Sequence, residues 1–132
     1  MFDEETDGAD DIDLYLYRVN ADSSLTLVAL SAGGSAAEQV QLVNPAPATY
    51  RLFVHRWQTD GPDANYSLHV WGLGTADEGN MTVTGPASAT LGGTAALNLS
   101  WTGLAARQKY LGAIDYNEGP TTHATTIVRI DN

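Results

Sequence analysis

Seven carboxylates crowd the start of this chain: Asp3, Glu4, Glu5, Asp7, Asp10, Asp11 and Asp13. Like charges at this density repel one another, and a divalent cation relieves the repulsion. Calcium takes about six to eight hard oxygens, which such a run can supply. The segment Asp60-Gly61-Pro62-Asp63-Ala64-Asn65 adds further oxygens if the fold brings it to the same end. An EF-hand is excluded: counted from Asp3, the twelfth position is Leu14, where that loop needs a bidentate glutamate. The competing reading is a solvated acidic leader that keeps the chain soluble.

Hydrolytic chemistry lacks its motifs. The stretch Gly33-Gly34-Ser35-Ala36-Ala37 fails the nucleophile-elbow pattern at its last position. No His-Glu-x-x-His and no phosphate-loop lysine motif occur. His55, His69 and His123 are read as strand-surface residues, so no catalytic residue is assigned.

Alternation sets the elements that must position these groups. Ile12, Leu14 and Leu16 alternate with Asp13, Tyr15 and Tyr17. Tyr50, Leu52 and Val54 alternate with Arg51, Phe53 and His55, and Tyr66, Leu68 and Val70 with Ser67, His69 and Trp71. A period of two is the strand signal. Shorter runs around Leu25-Leu27 and Val40-Leu42 complete a first group, divided by Asn20-Ala21-Asp22-Ser23, Gly33-Gly34, Asn44-Pro45-Ala46-Pro47 and Asp60-Gly61-Pro62-Asp63. Residues 36–41 are the best helical candidate and are too short to matter. The expected fold is all-β: an antiparallel, jelly-roll-like β-sandwich over residues 1–73, a linker at 74–79, and a small Ig- or fibronectin-like β unit over 80–132.

With Leu14, Leu16, Leu52, Val54, Leu68 and Val70 facing a core, the opposite parity carries Tyr15, Tyr17, Phe53, His55, Trp57, His69 and Trp71. A contiguous aromatic set marks an interaction surface, its rings and hydroxyls suited to a protein or polysaccharide chain. The alternative is that the C-terminal unit or a neighbouring layer covers this face.

The composition narrows the partners. The chain has 132 residues, a formal charge of −10, no cysteine and 6 lysines and arginines against 16 acids. Setting aside the seven N-terminal acids leaves nine against six bases, a net charge of −3, so the acidity is mostly one local feature. Without a basic cluster, nucleic acid and anionic membrane are poor partners. No apolar stretch is long enough for a helical span. The first residues, Met1-Phe2-Asp3, lack the pattern of a signal peptide. Disulfides and thiolate metal sites are excluded.

A family resemblance joins these features. Asp10-Asp11-Ile12-Asp13-Leu14-Tyr15-Leu16-Tyr17, Asn44-Pro45-Ala46-Pro47-Ala48-Thr49-Tyr50 and Asn65-Tyr66-Ser67-Leu68 resemble the bacterial pre-peptidase C-terminal domain over residues 3–71. Ala48 stands where that pattern usually has glycine. The pattern also places one or two strands before the acidic run, of which Phe2 would be the remnant. Farther on, Thr82-Val83-Thr84-Gly85-Pro86, Leu99-Ser100-Trp101-Thr102-Gly103-Leu104 and Tyr110-Leu111-Gly112-Ala113-Ile114-Asp115-Tyr116 look like the last segment of secreted actinobacterial subtilisin-like peptidases.

The resemblance implies a secreted, non-catalytic accessory module beside a serine peptidase domain, aiding stability, secretion or substrate binding. It also implies calcium held near the N-terminal strands, as in clostridial collagenase relatives. By matching position, the ligand candidates are Glu5, Asp7, Asp10 and Asp11, with Asp60 and Asp63 added from the second acidic loop. A stand-alone calcium-dependent adhesion or carbohydrate-binding module is the other expectation.

Overall fold

The structure, a computed structural model, describes residues 10–34 and 37–132 in full and residues 2–6 by their backbone. The chain is all-β, built of antiparallel sheets, with no helix among the described residues. It divides into two compact units, Met1–Gly72 and Leu73–Asn132.

The first unit contains β1 (Phe2–Thr6), β2 (Asp11–Val19), β3 (Leu25–Ser31), β4 (Ala37–Val40), β5 (Tyr50–Gln58) and β6 (Tyr66–Val70). These form two three-stranded sheets, ordered β4-β1-β6 and β3-β2-β5. The alternation in β2 explains the packing: Ile12, Leu14 and Leu16 are at most 1% exposed. Val40 joins Leu14 and Leu16 in the core, with Ala29, Leu42, Tyr50, Leu52 and Val54 packed around them. The two sheets therefore face each other, and β4 lies against β2 and β3. Burial of this side-chain row is the main stabilising term for so small a unit.

One buried acid belongs to this layer. Glu38, on β4, accepts hydrogen bonds from the Ser31 hydroxyl and from the Gly33 amide, the latter at 2.9 Å. It thereby ties the end of β3 to β4 and satisfies donors that the intervening turn would otherwise leave open.

The β2–β3 hairpin is closed by its own side chains. The Ser23 amide donates to the Asn20 carbonyl, and the Asn20 amide donates to the Ser24 carbonyl. Ser23 takes φ 66°, the left-handed conformation such a reversal requires. Asp22 Oδ1 accepts from the Ser24 hydroxyl at 2.6 Å and the Ser24 amide at 3.0 Å. Those two bonds hold the Asp22 carboxyl below its ordinary range. A depressed carboxyl stabilises the fold above its unfolded-state pKa, and that contribution disappears as the pH falls through the folded-state value. Asp22→Asn is therefore expected to remove part of the acid-side fall in melting temperature. Melting curves across the carboxylate range check this; an unchanged profile would contradict it.

Three expectations are corrected. Leu68 and Val70 do not enter the core: they are 39% and 59% exposed. The register puts Val70 in one row with Val40, through Phe2, but among the described residues β6 pairs only with β1, at the sheet edge. The opposing sheet covers the β4 side instead. Residues 37–40, within the weak helical candidate, are strand β4. The acidic residues Asp3, Glu4 and Glu5 lie in strand β1, between β4 and β6, and so are not part of a loop or unstructured leader.

The second unit is two antiparallel ribbons: β7 (Met81–Thr84) with β8 (Asn98–Trp101), and β9 (Lys109–Glu118) with β10 (Thr121–Asp131). Its buried apolar side chains are Ile114 and Ile130. A two-stranded ribbon is marginal alone, and the ribbons gain support from each other where Gly112 sits beneath Met81. A Cβ at Gly112 would lie 3.0 Å from Met81 Cε, so the missing side chain is what allows the approach. Across β9 and β10, Thr125 donates to Asp115 at 2.6 Å and Thr122 to Asn117 at 2.7 Å, cross-strand bonds of the kind that fix register.

Candidate binding site

The outward face of the β3-β2-β5 sheet gathers most of the aromatic residues expected to act together. Tyr15 and Tyr17 project from β2, and Phe53, His55 and Trp57 from β5, because Tyr15 pairs with Phe53 and Asp13 with His55. Ring contacts knit them: Tyr17 with Phe53 at 5.4 Å, Tyr15 with His55 at 6.0 Å, and His55 with Trp57 at 6.1 Å, all edge-to-face. Leu25 of β3 joins Tyr15, Tyr17, Phe53 and His55 around a groove of about 420 Å³. Trp57 is 69% exposed and Phe53 46%, so the rings present their surfaces to solvent.

His69 and Trp71 do not belong to this set. They stack on each other at 5.7 Å, 20° from parallel, at the end of β6, and β6 lies in the other sheet. The single aromatic face expected from parity is thus two clusters. Parity gives the face of a strand but not the sheet that contains it, and the β6 pairing with β1 decides the latter.

The groove has a polar foundation. Asp13 shares the parity of the rings yet is only 4% exposed. The Tyr15 hydroxyl donates to Asp13 Oδ2 at 3.3 Å, and His55 Nδ1 lies 3.3 Å from the same oxygen. Desolvation first, and then the charge and hydrogen bond of Asp13, push the Tyr15 phenol above its ordinary value. Tyr15 therefore stays a protonated donor at neutral pH. The contact of Nδ1 with the carboxylate orients the His55 ring and leaves Nε2 on its far side. Carboxylate and imidazole are two members of a hydrolytic triad, but the groove is lined by rings and a leucine, surfaces suited to contact.

The acidic candidates are partly assembled. The Asp60 amide donates to Asp10 Oδ1 at 3.3 Å, which brings the start of β2 and the loop after β5 together. Asp10 is buried, and Asp11 Oδ1 is buried without a hydrogen-bond partner. An acceptor-only oxygen in that state suits a cation. Asp63 lies exposed in the same loop. Asp7 and the Glu5 side chain lie outside the described residues. Among the described residues, no three acids or histidines already stand close enough to form a metal site.

Sequence reasoning did not identify Leu25 as part of the groove, or Asp13 as the group beneath it. Leu25 was accessible through the hairpin: a turn at residues 20–24 sets it opposite Val19, beside the rings. Asp13 read as one more member of an acidic run, and only its register with His55 shows it to be an anchor. No family model, curated protein or solved structure matches the chain.

Proposed function

We propose that this chain is a non-catalytic accessory module of a secreted bacterial subtilisin-like serine peptidase, holding polymeric substrate on the Tyr15–Tyr17–Phe53–His55–Trp57 face. The observation that carries the reading is the ring-lined groove on the outward face of the β3-β2-β5 sheet, with two rings, Tyr15 and His55, held against buried Asp13. Its peptidase context rests on the resemblance of residues 3–71 and of the C-terminal strands. Such a module raises the local concentration of substrate beside a tethered catalytic domain.

Retention of the purified chain on insoluble protein, compared with insoluble polysaccharide, tests the reading. Retention on protein is the expected result. Retention on polysaccharide alone would favour a carbohydrate-binding module instead, and retention on neither would overturn the binding role.

Calcium is proposed as a stabilising ion at the junction of Asp10, Asp11 and the loop carrying Asp60 and Asp63. Support comes from the partnerless Asp11 oxygen and from the bond linking Asp60 to Asp10. An ion bound only by the folded state at a hundredfold excess over its Kd adds about 2.7 kcal/mol. A rise in melting temperature in millimolar calcium, abolished by Asp11→Asn, is expected. No shift in the parent protein would contradict the site.

A further inference from the structure

We propose that β5 is a strand-addition site, and that its occupant is an extended acidic polypeptide. The proposal rests on the aromatic face being the contact surface and names the class of polymer that it takes. Strand β5 closes the β3-β2-β5 sheet on one side, and β2 is the only strand paired with it among the described residues. Its other edge therefore offers alternating main-chain donors and acceptors. A glycan has no matching row, whereas an extended peptide has one with the same two-residue repeat.

Other features separate β5 from the remaining edges of the first unit. Strand β5 spans nine residues, against four in β4 and five in β6. Strand β3 is interrupted by a bulge at Val28, a device that spoils an edge as a template. On β5 the register shift falls at Trp57, near the end, and leaves residues 50–56 regular. That stretch contains neither glycine nor proline. A peptide laid along it would set alternate side chains next to Phe53 and His55 on the ring face.

Charge selects the peptide. The chain is strongly acidic, yet β5 has no acid and carries Arg51 and Arg56, the latter donating to the Pro62 carbonyl at 2.6 Å. All three arginines of the first unit, Arg18, Arg51 and Arg56, lie on the β2–β5 pair. Arg51 is exposed and shares the face of the rings through its pairing with Tyr17. An acidic strand thus meets the Arg51 guanidinium here and no carboxylate of β5 itself.

The test uses the full chain and an acetylated eight-residue peptide that alternates glutamate with valine or threonine. On binding, amides of residues 50–56 should exchange more slowly with solvent. Two further peptides are N-methylated at alternate positions, one in each phase. Strand addition predicts at least a tenfold loss of affinity for one phase and little change for the other, because only one set of amides faces β5. Arg51→Gln should weaken the parent peptide severalfold and flatten its salt dependence, with the melting temperature unchanged.

Equal affinity of the two methylated peptides, or no binding at millimolar peptide, would overturn the proposal. Sedimentation that shows a dimer dissolved by changes in β5 would assign the edge to a second copy and also overturn it. Retention on insoluble protein together with insensitivity to N-methylation would remove strand addition and leave the aromatic reading standing.

Discussion

Leu14→Ala is expected to destabilise the first unit by about 3 kcal/mol, within the range found for leucine truncation in well-packed cores. Leu14 is fully buried and sits at the middle of the only continuous apolar row of β2, against Val40 of the opposing sheet. Its loss removes transfer energy and leaves a void that the short strand β4 cannot close without breaking the Glu38 bonds. Small domains have about 5–15 kcal/mol in total, so the melting temperature should fall by more than ten degrees. Residue-resolved thermal melts check this. A loss under 1 kcal/mol would mean that the sheets do not pack through β2.

Asp13→Ala should produce the second large effect, a loss of about 2–3 kcal/mol together with weakened binding. A hydrogen bond contributes about 0.5–1.5 kcal/mol net, and a buried partner left unsatisfied costs more; Asp13 serves both Tyr15 and His55. The substitution frees two rings that form the groove, so the binding loss should exceed what global destabilisation explains. Asp13→Asn is the informative partner. It keeps the volume and an acceptor, and should recover most of the stability while leaving the His55 orientation less fixed. Equal stability of Asp13→Ala and the parent would show that the buried carboxylate holds nothing in place.

Much of this architecture was legible in the chain. Strict alternation in β2 and β5 gave their inward rows, because the register of two strands flanking one core leaves little choice of face. The boundary between Gly72 and Leu73 lies at the start of a run of glycines and small residues, in which a linker was expected at 74–79. What alternation does not contain is which strands share a sheet. Leu68 and Val70 carry the same pattern as Leu52 and Val54, yet they end on an edge strand beside β1 and stay exposed. His69 and Trp71 go with them. The short β4 was ambiguous for a different reason: four residues, Ala37-Glu38-Gln39-Val40, suit a helix turn as well as a strand, and the burial of Glu38 and Val40 on one face decides it. The acidic run shows the same limit. Its charge was plain, but its placement in the middle of a sheet depended on partners more than thirty residues away.

The central claim is that the inward row of the β3-β2-β5 sheet holds the fold while the outward rings hold a ligand. Exposed aromatic anchors contribute to binding with little share in stability, and losing two should cost about 2 kcal/mol or more of affinity. The double substitution Phe53→Ser and Trp57→Ser tests this directly, with melting temperature and retention on insoluble protein measured on the same sample. The account predicts retention lowered by at least tenfold and a melting temperature within a few degrees of the parent. A collapsed melting temperature, or undiminished retention by a folded variant, would contradict it.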